Sequence, residues 1–196
     1  MSLEEVHFLR HGETDMNRQL RCQGRIDIPL NEEGERQAAA AAESFKDIQL
    51  HSVYSSPLTR AVQSAEAVAK VAGIEVGILE WLSEIDHGAV EGMNREEADA
   101  KYPGLLDTWL NEPQRAEFPG GETVDELAKR VRDGLRELLR KENGPVLLVT
   151  HQVVSGAARC ILKGLPLSRV WENKLVNGDS FHFRITPEER DRILKE

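Results

Sequence analysis

Arg10 and His11 stand side by side directly after Val6-His7-Phe8-Leu9, and Gly12 follows at once as a bending point. Two adjacent cations repel unless something anionic sits between them, so the pair points to a bound anion. Two guanidiniums can grip a phosphate dianion through charge-assisted, often bidentate hydrogen bonds. A neutral imidazole in that grip can attack phosphorus and form a covalent intermediate, splitting one hard displacement into two easier ones. Positive neighbours favour that neutral form. A second histidine can donate to a non-bridging oxygen as charge builds in the transition state. A glutamic acid can protonate the leaving alkoxide and then, as a carboxylate, activate water.

Every part of that chemistry has a candidate here, provided the fold brings the candidates together. Short apolar runs alternate with segments of helical period, which predicts an α/β domain with a mostly parallel central sheet flanked by helices. Strands are expected at Glu5–Leu9, Ser52–Tyr54, Glu75–Leu79, Pro145–Thr150 and Ser180–Ile185. Ligands of parallel α/β sheets bind beyond the carboxyl ends of the strands, where loops and helix N-termini converge. Beyond the first strand come Arg10 and His11; beyond the second, Ser55 to Arg60; beyond the third, Glu84; beyond the fourth, His151. A lone histidine is more often structural and a lone Glu84 would be a surface acid. Their convergence at four strand ends favours a site.

The elements between the strands are equally legible. Asn31 begins a helix that runs through Ala38–Ala42 to about Phe45. Ser56-Pro57 reads as an N-cap with proline at the first helical position, opening a helix to about Ala72 that ends at Gly73. Thr123 and Glu126 form a capping box, after which Val124, Leu127, Val131, Leu135 and Leu138 share one helical face. A further helix is expected after Thr150, running to about Leu162 and stopping at Gly164. The stretch from Ser83 to Glu122 lacks a clear strand and predicts one short helix near Asn94–Lys101. A connection that long reads as a lid-like insertion, at about 83–122, in a single domain spanning 1–196.

Composition narrows the function. The chain has 196 residues, a formal charge of −9 and 30% charged residues, which argues against a nucleic-acid-binding surface. Locally the balance inverts: between His7 and Arg25 there are four arginines against two acids. No apolar run is long enough to span a bilayer and no signal-peptide pattern is visible, so no membrane partner is expected. Cys22 and Cys160 have no disulfide or zinc spacing, and a cytoplasmic location follows as the default. His11-Gly12-Glu13 lacks the Pro-Cys-x-x-Cys that a zinc deaminase requires. Val154-Ser155-Gly156 lacks the full nucleophile elbow of a serine hydrolase, and no nucleotide-binding Lys-Ser/Thr loop is present. His7 reads as packing, His51 and His182 as structural or exposed, and Trp81, Trp109 and Trp171 as core or lid anchors.

The stretch "LRHGETDMN" resembles the signature of the histidine phosphatase superfamily, which includes cofactor-dependent phosphoglycerate mutases and many phosphomonoesterases. The similarity continues in the family's order through "RCQGRIDIPLNEEGERQA", "VYSSPLTRAVQSAEAVA", "LSEIDHGAVEGM", "FPGGETVDELAKRV" and "VLLVTHQVV". It implies a phosphoglycerate mutase-like fold and a phosphomonoesterase with no cofactor and no metal. By the same resemblance His11 would be the phosphorylated nucleophile, with Arg10, Arg60 and His151 completing the phosphate pocket. Asn17 would add a hydrogen bond to phosphate, Glu84 would be the proton donor, and Gln23 and Gly24 would line the substrate entrance. "THQ" stands where many members have "SHG", which preserves His151 and leaves Gln152 as a neighbour of open role at the substrate.

The stretch from "SEIDHG" to "FPGGET" is similar to metal-independent phosphoserine phosphatases, where the histidine matching His87 lies near the amino-acid end of the substrate. The plainer alternative is that His87 braces the loop behind Glu84. "VTHQ" and the short chain are equally similar to α-ribazole phosphatases. The expected partner is a small phosphorylated metabolite, phosphoserine or α-ribazole phosphate among the candidates; a homodimer is left open. Two rivals stand beside this reading. One is a mutase, against which Ile85 replaces an expected arginine and only Arg115 lies between Tyr102 and Glu122, although Arg95 stands where mutases carry a lysine. The other is a non-catalytic phospholigand-binding module, against which both nucleophile and acid are present.

Overall fold

The structure, a computed structural model, describes residues 3–195; the expected domain limits at Met1 and Glu196 lie outside them. Five strands form one sheet: β1 (Glu5–Arg10), β2 (Ser52–Ser55), β3 (Val76–Ile78), β4 (Val146–Thr150) and β5 (Ser180–Arg184), in the order β3-β2-β4-β1-β5. All neighbours are parallel except β5, which runs antiparallel to β1 at the edge.

Side chains of a strand alternate between its faces, and the central strands are apolar on both. Val6, Phe8, Val146 and Leu148 enter one core, while Leu9, Leu147 and Val149 enter the other. The second core is closed by α2 (Glu32–Phe45) and α3 (Thr59–Ala72), through Ala41, Ala42, Phe45, Ala61, Ala65 and Val68. His7 belongs to this side, packed edge-on against Phe45 with ring centroids 5.5 Å apart. The first core is closed by α6 (Val124–Lys141), α7 (Gln152–Lys163) and α8 (Pro187–Lys195). The expected capping box of α6 is present, and Leu127, Val131, Leu135 and Leu138 are all buried. Truncating one of these leucines to alanine would cost about 2–5 kcal/mol.

Three expectations change. α3 does not start at Pro57: its cap is Leu58, with no side-chain cap bond. Asp27 takes over that task from a distant loop, accepting from Thr59 N at 2.7 Å and Thr59 Oγ1 at 2.8 Å. The Ser56 hydroxyl lies against His151, as described below. Second, the 83–122 stretch holds two α-helices, α4 (Arg95–Lys101) and α5 (Leu105–Asn111). α5 starts at Gly104, φ 79°, without a side-chain cap, and buries only Leu106 and Trp109, too little periodicity to announce itself. Third, α1 (Asp15–Arg18) is a single turn set by a Thr14–Asn17 capping box, and α8 also went unforeseen. No helix among the described residues is long and apolar enough to cross a membrane.

Candidate active site

The parallel register of β1 and β4 pairs Arg10 with Thr150, so the next residues, His11 and His151, emerge side by side at the sheet's edge. Their ring centroids are 5.0 Å apart. His11 N–H donates to Thr150 O at 3.0 Å, which continues the ladder one step past the strand. His11 Nδ1 lies 2.6 Å from Gly12 O; a carbonyl only accepts, so Nδ1 carries the proton and Nε2 holds the lone pair. Arg60 Nε donates to that lone pair at 3.2 Å. Burial, then the charges of Arg60 and Arg10, holds His11 well below its ordinary 6.5. The imidazole is therefore neutral, and Arg10 and His11 do not compete as two cations.

Gly12 serves close approach rather than bending. A Cβ there would lie 2.3 Å from the backbone oxygen of Gly34, in the first turn of α2, and no side chain could be accommodated. Gly12 N–H also donates to Ser64 Oγ of α3 at 3.1 Å. The close approach to the Gly34 backbone and the hydrogen bond to the Ser64 side chain fix the loop that carries His11.

Arg60, the second residue of α3, is 1% exposed. It donates to Gly24 O and Ile26 O, each at 2.8 Å. The amide oxygen of Gln23 faces Arg60, 2.8 Å from Nη1, while its nitrogen donates to Thr14 Oγ1 at 2.7 Å. Arg10 donates from Nη1 to Leu175 O at 3.0 Å, and its buried Nε has no protein partner. Burial pushes both guanidiniums down to about 10, opposed by the nearby Glu84 charge, so both remain cations at neutral pH. His151 is the N-cap residue of α7, without a side-chain cap bond, and its Nε2 lies 2.7 Å from Ser56 Oγ, which also accepts from Leu58 N at 3.3 Å. Its Nδ1 is buried without a protein partner. Asn17 Oδ1 accepts from Thr14 N, Thr14 Oγ1 and Asn177 Nδ2, leaving the Asn17 NH₂ as the group available to a ligand oxygen.

Glu84 arrives from the far side. Thr150 Oγ1 donates to Leu82 O at 2.6 Å, pinning the Glu84 loop to the end of β4. The carboxylate accepts from Ile85 N at 3.0 Å and Val153 N at 3.2 Å, at the positive end of α7. Arg130 of α6 donates to Glu84 O at 3.2 Å and Trp81 O at 2.7 Å while it grips Glu122 through two nitrogens at 2.6 and 2.9 Å. Neither Arg130 nor Glu122 stood out in the sequence, because nothing local links either to Glu84.

Nine of the ten expected site residues line one cavity of about 190 Å³; the exception, His151, is fully buried against the His11 ring. Gly24, φ 52°, packs closely against the Glu91 side chain, which leaves no room for a Cβ. His87 lines the cavity with its ring edge-on to Phe118 and Trp109. The sequence reading missed Leu20, Arg21, Cys22 and Val153 as lining residues, and placed Trp109 and Trp171 only as anchors. Cys22 could have been found from its position beside Gln23; Leu20 carries no chemical signal. Among the described residues no group of three or more His, Cys, Asp or Glu side chains could hold a metal ion. The arrangement joins a neutral imidazole, two cations and a carboxyl group in one cavity, a set suited to attack on a phosphate ester.

The family model of the histidine phosphatase superfamily (branch 1) matches residues 6–194. Phosphoserine phosphatase 1 of Hydrogenobacter thermophilus is 36% identical over 189 residues, covering 96% of this chain and 89% of that protein. A probable phosphoglycerate mutase, GpmB, of Salmonella choleraesuis is 32% identical over 163 residues, covering 83% of this chain and 76% of that one. The solved structure of a mycobacterial glucosyl-3-phosphoglycerate phosphatase with VO3 superimposes with a TM-score of 0.88 at 30% identity, covering 95% of this chain and 94% of that one.

Proposed function

The chain belongs to the histidine phosphatase superfamily, and from that premise we propose that it hydrolyses a small phosphorylated metabolite through a phosphohistidine at His11, without a metal ion. The observation that carries the reading is the state of His11: neutral, protonated on Nδ1, with its Nε2 lone pair turned toward Arg60.

In the first step Nε2 attacks phosphorus and the ester P–O bond breaks. The Glu84 carboxyl group gives its proton to the departing alkoxide, and Gly12 O keeps hold of Nδ1–H as the ring becomes cationic. Arg10, Arg60, His151 and the Asn17 amide bind the three non-bridging oxygens as charge accumulates on them. In the second step the Glu84 carboxylate takes a proton from water, the hydroxide attacks phosphorus, and the P–N bond breaks to release phosphate and restore His11. Phosphoserine and α-ribazole phosphate are the two candidate substrates that the sequence resemblance supports. The two unpaired cysteines fit a reducing compartment, and we assign the protein to the cytoplasm.

Phosphoryl exchange is the second reading, favoured by the mutase-named relative. The geometry supports hydrolysis instead. Arg115 is paired with Glu112 with its side chain 73% exposed, and Arg95, on the wall of the adjoining chamber, is already paired with Asp99 and Asp107. The test is release of inorganic phosphate from p-nitrophenyl phosphate and from 3-phosphoglycerate, in excess chelator. Hydrolysis of both with little 2-phosphoglycerate is expected; mutase turnover well above hydrolysis would overturn the reading, and loss of activity to the chelator would remove metal independence.

A further inference from the structure

The catalytic cavity opens beside a second, larger chamber of about 490 Å³, and the two share Arg10, Asn17, Leu20, Arg21, Cys22, Trp109 and Gln152 among their walls. Its apolar lining comes from Leu20, Leu106, Trp109 and Leu110, and Arg21, Arg95 and Asn177 also line it. Leu20 is 83% exposed and, at φ 54°, is the only non-glycine described residue in the left-handed region. Leucine is a poor choice there on both counts, since the conformation favours Gly, Asn or Asp and the exposure favours a polar group. Leu110 is 49% exposed across the chamber. Two apolar side chains are thus displayed at the mouth of a phosphate-binding site.

The charges around this chamber are already committed. Arg21 donates to Gly92 O at 2.6 Å and to Glu97 at 2.8 Å. Arg95 is held by Asp99 at 3.2 Å and also by Asp107. Lys174 lies over the Trp171 ring, 5.1 Å from its centroid, and lines neither chamber. Burial keeps His87 neutral, down at about 4. Beyond the phosphate grip, the cations that line the chamber, Arg21 and Arg95, are each already paired with a carboxylate. The Trp109 wall is braced: its carbonyl accepts from Trp171 Nε1 at 2.7 Å, and its ring packs edge-on to Trp171 and Phe118.

We propose that the outer chamber is a subsite for an uncharged apolar or aromatic body, so that the preferred substrates are phosphomonoesters of extended hydrophobic alcohols rather than small zwitterions such as O-phosphoserine. The proposal rests on the phosphatase reading and names the substrate class of the same site. It makes Leu20 and Leu110 specificity residues that touch the alcohol and not the phosphate.

The test is kcat/KM along unbranched alkyl phosphates from ethyl to hexyl, whose leaving groups are chemically alike. A chain entering the chamber should raise kcat/KM by about two- to fourfold per methylene, the scale of burying one CH₂. Leu20→Asn, which suits the backbone conformation at an exposed position, and Leu110→Ser should each flatten that slope. Binding of the corresponding alkylphosphonates, followed by calorimetry, reads the same slope without turnover. A flat slope in the wild type, or O-phosphoserine hydrolysed with a higher kcat/KM than hexyl phosphate, would overturn the subsite and leave the phosphatase standing. Chain-length-dependent phosphonate binding with no hydrolysis of any ester would do the reverse.

Discussion

Arg60 donates from Nε to His11 Nε2 across 3.2 Å, so one guanidinium holds both the nucleophile and the place where phosphate would sit. A phosphate oxygen is the stronger acceptor and would draw that N–H away, releasing the lone pair as substrate arrives. On the proposed mechanism the bond would orient the imidazole in the free protein and yield when attack is required.

The first prediction follows from the tautomer. Label from a ³²P-phosphate ester, quenched within milliseconds, should be found on Nε2 of His11, labile in acid and stable in alkali. His11→Ala should carry no label and lose about 10³-fold or more in kcat. Acid-stable label, or label on the variant, would exclude His11 as the acceptor.

The same environment predicts the pH dependence. Burial first, and then the charges of Arg60 and Arg10, lowers the pKa of His11; burial, Arg60, His11 and Arg10 do the same for His151. A lowered pKa means that protonation of the nucleophile, and the loss of kcat/KM it causes, begins below the ordinary 6.5. Nitrogen chemical shifts should report a neutral His11 throughout neutral pH. For stability the sign is also fixed. Unfolded histidines bind protons near 6.5 while the buried ones stay neutral, so the unfolded state gains protons first as pH falls. Stability present above 6.5 is then lost in acid, for His87 between about 6.5 and about 4. Urea midpoints that rise from pH 7 to 5 would contradict this.

Glu84 supplies a contrast between leaving groups. An alkoxide needs a proton to depart, whereas p-nitrophenolate does not. Glu84→Gln should slow phosphoryl transfer from an alkyl ester by about 10²–10⁴-fold, and from p-nitrophenyl phosphate much less in single turnover. Arg130 acts through Glu84 by holding its carbonyl and Glu122 together. Arg130→Ala should therefore show the same leaving-group contrast at a smaller scale, about tenfold, in kcat more than in KM. Equal losses on both esters would make Glu84 structural and Arg130 only a loop support.

What the sequence revealed and what it hid divide along a physical line. His11, Arg60, Glu84 and His151 each follow a strand, and in a parallel sheet the strand ends meet, so local patterns sufficed to collect them. Strands β1 and β4 were readable because burial on both faces leaves continuous apolar runs. The start of α3 was not, since its cap comes from Asp27, 32 residues away in the chain. Arg130, Glu122 and Leu20 were missed for the same reason: each matters through a contact between segments that have no neighbouring pattern in common. Leu20 is notable only once its backbone angle and its place at the cavity mouth are known.

What surrounds His87 favours one of its two expected roles over the other. Its ring stands edge-on to Phe118 at 4.7 Å and to Trp109 at 5.8 Å, and its backbone N–H donates to Glu91 at 3.2 Å. Held at about 4 by burial, it carries no charge with which to attract a substrate carboxylate at neutral pH. Those contacts support a brace for the wall that joins Glu84 to Trp109. His87→Ala should then lower kcat/KM for O-phosphoserine, hexyl phosphate and p-nitrophenyl phosphate in parallel, by about tenfold, and lower the melting temperature. His87→Phe should restore much of the melting temperature, because the aromatic packing survives without the ring nitrogens. A loss confined to O-phosphoserine, with the other two esters untouched, would instead make His87 a contact to the amino-acid end of the substrate.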